Sequence, residues 1–407
     1  MDDYRCLMNT EIVHNYTLTN ITPEKVLISQ DTKRYGVEYD KHSIVYQHTV
    51  FMHFIYCDIS REGICSYGGH FFLAAPRFYY NFPPNYSLPH SLQIYDKAVL
   101  GFSYHFQFGH LLQDMISSLL SIPSEIIKDA HIFLRSEKNS PYQFMEILGF
   151  SADRVHVLTD KWVFVKDLYF SRGSKGISCL QLSFKDMHDV IYKNNNLTDI
   201  KPIYHLFINK ESSNWGYIKN FDELFNVSQL QYPQYNWVMY PCDIVLNVTA
   251  AMHLIARTKL FICATGSLSF NMIFLHPNCG CLLIDSVICN YPCIAIAHTL
   301  NIWFYYYGTE FSRIALPTDG FIKIEPYFNV LDMIIYAIYN GKWPEHKFPS
   351  RHLELDFERI KRQVFKGKNK NKTTFLKYQV VMKNNRLTET FHRIQDYTDL
   401  KIPYKWL

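Results

Sequence analysis

Two α/β domains with parallel sheets, facing a cleft and followed by a basic extension, are predicted from three features of this 407-residue sequence. Strand-like and helix-like runs alternate over residues 96–170 and again from Tyr204. A break rich in Asn, ending at Pro202, separates the two runs. Fifty residues from Leu260 to Thr309 carry one charge, Asp285, as the buried centre of an α/β domain does. Alternation of this kind gives parallel strands covered by helices.

The elements follow in order. Short aromatic runs such as VYQHTVFMHFIYC and HFFLAAPRFYYNF, separated by Pro and Gly, read as strands and loops over the first ~95 residues. KAVLGFSYH is strand-like, and FGHLLQDMISSLLSIP is a helix stopped by Pro123. HIFLR is a strand, PYQFMEILGF a helix closed by Gly149, and RVHVL and WVFVKDLYF are strands. In the second run, YHLFINK is a strand, NFDELFNVSQL a helix and YNWVMYP a strand. DIVLNVTAAMHLIARTK then reads as one helix with Leu246, Met252, Leu254 and Ile255 on its apolar face. LFICATG is a buried strand, a short helix starts at Ser267, and GCLLID is the next strand. GKWPEHKFPS breaks the pattern. The expected division is 1–200, 201–341 and a 342–407 extension, with LELDFERIKRQVF as a helix packing back on the body.

Composition excludes disorder, since 48% of residues are hydrophobic and only 19% charged. The net charge of +4 hides a split. Residues 1–341 carry 25 Lys and Arg against 30 Asp and Glu, and residues 342–407 carry 16 against 7. The tail lacks interleaved aromatics or a recognised module and the body is acidic, so no nucleic-acid partner is expected.

Five of ten cysteines (Cys263, Cys279, Cys281, Cys289, Cys293) lie in one stretch. Zinc, disulfides and plain core thiols are the alternatives there, and the spacing matches no usual zinc module. Seven glycosylation sequons, at Asn15, Asn20, Asn85, Asn196, Asn226, Asn247 and Asn371, lean towards a Golgi or endoplasmic reticulum lumen. MDDYRCLMNTEIVHN has no signal-peptide core, and no clean apolar span of about 20 residues occurs. A cytoplasmic location and a membrane anchor preceding Met1 both stay open.

The strongest local signal for chemistry is 260–285. A buried strand enters Thr265, Gly266 and Ser267, and a helix follows at once. Gly permits close backbone approach, and helix N–H groups suit a phosphate or diphosphate. Ser267 and Ser269 add hydroxyls, and Asp285 ends the next strand where ribose hydroxyls could be met. An ordinary packing glycine is the plainer alternative.

These residues resemble the family 61 glycosyltransferases, which include plant arabinoxylan xylosyltransferases and animal protein O-linked GlcNAc transferases. The family element H-G-A-x-x-x-N-x-x-F stands here as Thr265-Gly266-Ser267-Leu268-Ser269-Phe270-Asn271-Met272-Ile273-Phe274. A strand ending in a basic residue precedes it as FINK, with Lys210, followed by Tyr217-Ile218-Lys219-Asn220-Phe221-Asp222-Glu223-Leu224. A family-like G-H-x-x-x-D/E helix appears as Gly109-His110-Leu111-Leu112-Gln113-Asp114. The blocks span roughly 95–290 in order. Thr265 stands where the family has His, Tyr217 where it often has Arg, and Ala250 and Ala251 where acidic and amide residues are common.

The resemblance implies a GT-B fold and an inverting, metal-independent enzyme without a cofactor. A GlcNAc- or xylose-like sugar would pass from a UDP-sugar to a hydroxyl of a glycan or glycoprotein. Lys210, Thr265, Gly266, Ser267, Asn271, Asp285 and Asn220 would hold the nucleotide sugar. His110 and Asp114, four apart on one helix face, would be the catalytic base and its orienting partner. The same spacing also suits a buried His bonded within its own helix, and capping is the default for Asn220. A non-catalytic relative that binds carbohydrate or nucleotide is the competing reading, with Trp215, Trp237, Trp303 and Tyr305–Tyr307 as stacking or core residues in either case. G-x-G-x-x-G and G-x-S-x-G are absent, which argues against a nicotinamide oxidoreductase and a serine hydrolase.

Overall fold

A computed structural model of the chain describes residues 7–9, 23–29, 49–61, 64–67, 70–73, 80–81, 93–101, 103, 107–120, 122–135, 140–159, 162–173, 184–214, 216–285, 291–308, 320–345, 349–352, 376–383 and 386–393. Two large sheets and a three-stranded one, Leu376–Lys383, Arg386–Arg393, Tyr80–Asn81, organise them. The first is mixed and runs His70–Leu73, Ile64–Tyr67, Thr49–Ile59, Val163–Gly173, Gln93–Gly101, His131–Leu134, Val155–Val157, with Leu7–Asn9 also paired to Thr49–Ile59. Its strands are parallel from Val163–Gly173 to Val155–Val157 and antiparallel on the other side.

The second sheet runs Asn236–Tyr240, Tyr204–Ile208, Thr258–Ala264, Gly280–Asp285, Trp303–Gly308, Val26–Ser29, Ser350–His352. Only the last strand is antiparallel. Helices cover both faces, which is why its central strands are apolar without alternation. Helices Phe221–Gln231 and Ile324–Asn340 bury one face through Leu224, Tyr327 and Leu331. Val248–Ala256, Ser267–Phe274 and Tyr291–Thr299 bury the other through Met252, Phe274 and Ile294. Ile324–Asn340 ends where Gly341 takes the left-handed conformation, φ 68°.

A shared apolar layer joins the two sheets. Leu112 and Met115 of the first half lie in one buried cluster with Met252, Phe270 and Phe274 of the second. Helix Phe184–Asn194 pins the layer: His188 Nδ1 donates to Ile273 O at 2.8 Å and the Tyr192 hydroxyl to Phe274 O at 2.7 Å. Burial pushes the His188 imidazole down to about 4, and burial, helped by Lys259, pushes His205 down to about 4. An unfolded chain takes up these protons near pH 6.5. Each depressed group therefore contributes stability that is complete above pH 6.5 and is lost as pH falls towards 4, on the order of 3 kcal/mol at most per histidine. Thermal unfolding across pH 7 to 4.5 should show a falling melting temperature, and His188→Gln should flatten that slope. An identical slope in the variant would remove His188 from the linkage.

Several expectations are corrected. Val26–Ser29, from the N-terminal part of the chain, is a strand of the second sheet, because VLIS is fully buried between Trp303–Gly308 and Ser350–His352. The stretch 243–259 is not one helix: Cys242–Leu246 is a 3-10 turn, and Asn247 Oδ1 accepts from Ala250 N at 3.0 Å to start a new helix at Val248. Leu246 is consequently exposed. Trp237, Trp303 and Tyr305–Tyr307 are core residues, at most 7% exposed, so they offer no sugar-stacking face. Of the three cysteine alternatives the core one holds: Cys263, Cys279, Cys281 and Cys293 are buried and in no disulfide among the described residues, and burial pushes Cys279 up to about 11. In the tail the described elements are strands, Ser350–His352 and the hairpin Leu376–Lys383 with Arg386–Arg393, whose residues alternate with period two. The expected helix 353–365 lies outside the described residues, as do Trp215, Cys289 and the sequons at Asn15, Asn20, Asn85 and Asn371. The sequon residues Asn196, Asn226 and Asn247 are exposed. Among the described residues, no helix is long and apolar enough to cross a membrane.

Candidate active site

Chain order in the second sheet creates a crevice. From Tyr204–Ile208 the chain adds Asn236–Tyr240 on one side, then returns to place Thr258–Ala264 on the other. The connections leave these neighbouring strands towards opposite faces, and the space beyond their carboxyl ends is where open α/β sheets take ligands. Lys210 follows the first strand by two residues and Gly266 follows the second by two.

The two meet. Gly266 has φ 101° and ψ −152°, and a Cβ there would lie 2.7 Å from Lys210 Nζ. Gly216, φ 75°, closes over the same ammonium: its Cβ would lie 3.3 Å from Lys210 Nζ and 3.2 Å from Thr265 Cγ2. Both positions need glycine for conformation and for space. Asn209 folds the loop that brings Gly216 there. Its Oδ1 accepts from Lys210 N (2.9 Å) and Ile218 N (3.1 Å), and its Nδ2 donates to Ile218 O (2.7 Å). Neither Asn209 nor Gly216 was foreseen; a Gly inside the polar loop ESSNWGY was the available signal.

The other expected donor residues divide. Ser267 is half-buried at the start of the Ser267–Phe274 helix, whose first N–H groups, like those of any helix, lack intrahelical partners. Thr265 is held by its N–H, which donates to Ile284 O at 3.1 Å. Ser269 is buried and its hydroxyl donates back to Gly266 O at 2.6 Å, so it braces the turn instead of facing a ligand. Asn271 is 1% exposed; Nδ2 donates to Leu268 O, while Oδ1 meets no partner among the described residues. Asn220 is used structurally, its Oδ1 accepting from Ile322 N and its Nδ2 donating to Ile322 O, both at 2.9 Å. Asp285 ends its strand at the same sheet edge as Gly266, and its side chain lies outside the described set.

The first sheet repeats the logic. Gln93–Gly101 lies between His131–Leu134, reached first along the chain, and Val163–Gly173, reached later, which puts a second crevice beyond Gly101. Ser103 and the helix beginning at Phe108 occupy that end. The helix is π-wound over Leu111–Ile116, an uncommon geometry that concentrates at functional sites. His110 Nδ1 lies 2.7 Å from Asp114 Oδ2, Gln113 Nε2 lies 2.9 Å from the same Nδ1, and Ser103 Oγ donates to Asp114 Oδ2 at 3.4 Å. Asp114 is buried, and His110 is half-buried. His105 lies outside the described residues.

The two strand-end sites are neighbours. A Cβ on Gly109, the residue before His110, would lie 2.7 Å from the Phe270 ring of the Ser267–Phe274 helix. Gly109→Ala should therefore push the two helices apart, costing about 1–3 kcal/mol of stability and reducing turnover, read by thermal unfolding and a transfer assay. Wild-type values for both would show that Phe270 gives way freely.

The comparisons fall on this segment. Residues 108–282 match the family model described as Glycosyltransferase 61. No curated protein matches the chain. The matched span opens at the His110–Asp114 helix and closes in the strand after the Gly266 turn, so the His110–Asp114 pair, Lys210 and the Gly266 turn lie within it, with Ser103 and Asp285 just outside. Residues 108–282 are thus a glycosyltransferase 61 domain, and that domain supports glycosyltransferase activity for the chain that carries it.

Proposed function

We propose that this glycosyltransferase is an inverting enzyme of GT-B arrangement that moves a GlcNAc- or xylose-like sugar from a UDP-sugar to a hydroxyl of a glycan or glycoprotein. The observation that carries the reading is the Lys210 ammonium packed against the Gly266 turn at the sheet's switch point. A diphosphate leaving group needs positive charge and N–H donors where its charge develops. Lys210 and the Ser267 end of the helix are of that chemistry, so transfer proceeds without a metal ion or other cofactor. Asp285 takes the ribose hydroxyls, and the buried Oδ1 of Asn271 accepts a hydroxyl or N–H of the donor.

The acceptor hydroxyl attacks the anomeric carbon from the face opposite the diphosphate. The new C–O bond forms as the old one breaks, its electron pair leaves on the diphosphate, and the hydroxyl proton passes to the His110–Asp114 pair. The Gly109–Phe270 contact supports this, because it sets the helix of the base beside the helix of the donor turn. Residues 1–200 then form the acceptor side and 201–341 the donor side, with Val26–Ser29 crossing over; the 342–407 extension lies apart from the chemistry. The exposed sequon residues Asn196, Asn226 and Asn247 favour a Golgi or endoplasmic reticulum lumen.

A panel of nucleotide sugars assayed for hydrolysis and transfer, beside a thermal shift with UDP, tests the reading. UDP stabilisation with turnover of one UDP-sugar is expected. UDP binding without turnover of any would contradict it and favour a binding-only relative.

A further inference from the structure

We infer that His110 Nε2 is the atom that takes the acceptor proton, and that Asp114 and Ser103 are positioning residues that hold the imidazole in the form able to do so. This rests on the transferase reading above and assigns roles that the His110–Asp114 spacing alone leaves open.

The ring form follows from what each neighbour can do. An ionised carboxylate only accepts hydrogen bonds, so the 2.7 Å contact between His110 Nδ1 and Asp114 Oδ2 needs the proton on Nδ1. In a neutral ring the lone pair is then on Nε2. Gln113 Nε2, 2.9 Å from the same Nδ1, would set two donors face to face. The carboxylate cannot become a donor, whereas an amide can be turned end for end with its heavy atoms in place. Turned, Gln113 Oε1 accepts from Nδ1–H. The turn leaves Gln113 Nε2 in the buried place where Oε1, as placed, meets no partner among the described residues.

Exposure separates the roles. The Asp114 side chain is 5% exposed and the His110 side chain 29%, so the imidazole is the member of the pair that a hydroxyl can reach. Behind Asp114 the chain continues inward. Ser103, 2% exposed, donates to Asp114 Oδ2, and Arg135 Nη1 donates to Ser103 O at 3.3 Å, tying the segment after Gln93–Gly101 to the end of the next strand. The helix facing His110 from the second sheet, Ser267–Phe274, carries no ionisable side chain. When the acceptor hydroxyl loses its proton to Nε2, the ring becomes imidazolium and the Asp114 carboxylate balances it; the proton leaves to water after the sugar has moved.

The test reads the ring directly. Protein labelled with 15N-histidine is examined near neutral pH by a two-bond 15N–1H spectrum, and the His110 signals are identified as those missing from His110→Gln. Wild type should show Nδ1–H with an unprotonated Nε2. Asp114→Ala removes the acceptor that holds Nδ1–H and should give a mixture of the two ring forms. Ser103→Ala should give a mixture of the two forms and a several-fold lower turnover, with UDP binding unchanged. Nε2–H in the wild type, or an Asp114→Ala spectrum like the wild type, overturns the assignment. Absence of all transfer by wild type with the ring in the expected form overturns the transferase reading itself.

Discussion

Asp114→Asn in a folded protein lowers sugar transfer by about a hundredfold or more, the usual scale for losing positioned acid–base catalysis. Two effects act together. The amide removes the negative charge that balances the imidazolium, and it no longer fixes Nδ1 as the protonated nitrogen, because its NH2 can take the same place as its oxygen. Asp114 is 3% exposed and sits inside the helix that packs on Phe270, so the substitution is nearly isosteric and leaves the Gly109 contact in place. Transfer rate, UDP thermal shift and far-UV circular dichroism on the variant give the check. Unchanged turnover would remove Asp114 from the mechanism.

Lys210→Met should lower kcat/KM for the UDP-sugar by about a hundredfold, the scale of deleting one preorganised charge from a reacting centre. Met keeps the length of the stem that packs beneath Gly216 and Gly266, so what is lost is the ammonium against the turn. In the mechanism proposed, diphosphate charge grows as the sugar leaves, so kcat should fall as well as donor affinity. Gly266→Ala should act in the same direction by another route. Its φ of 101° is strained for alanine, and its methyl would occupy the place of Lys210 Nζ. If both variants turn over UDP-sugar at the wild-type rate, the charge that stabilises the leaving group is elsewhere.

Much of this site was legible from local pattern. The strand–turn–helix at 258–274 shows in the sequence because an apolar strand, a lone Gly and a new helix are short-range features. The i, i+4 placement of His110 and Asp114 is equally local. What stayed hidden depends on long-range pairing. Val26–Ser29 is three apolar residues and a serine, and its partner strand lies 278 positions away, at Phe304. The Lys210–Gly216–Gly266 cradle depends on Asn209 bonding across nine residues to Ile218. All six residues of the π-wound stretch Leu111–Ile116 are buried, polar Gln113 and Asp114 included, so the pattern of residues does not announce the winding. Aromatic content left stacking and core roles open, and Trp237, Trp303 and Tyr305 take the core one.

A crystal structure of the chain with UDP tests the central claim most directly. The account predicts diphosphate density against the Ser267 N–H groups, within hydrogen-bond distance of Lys210 Nζ, with the anomeric position turned towards His110. Density for the diphosphate anywhere other than the Gly266–Ser267 turn would contradict it.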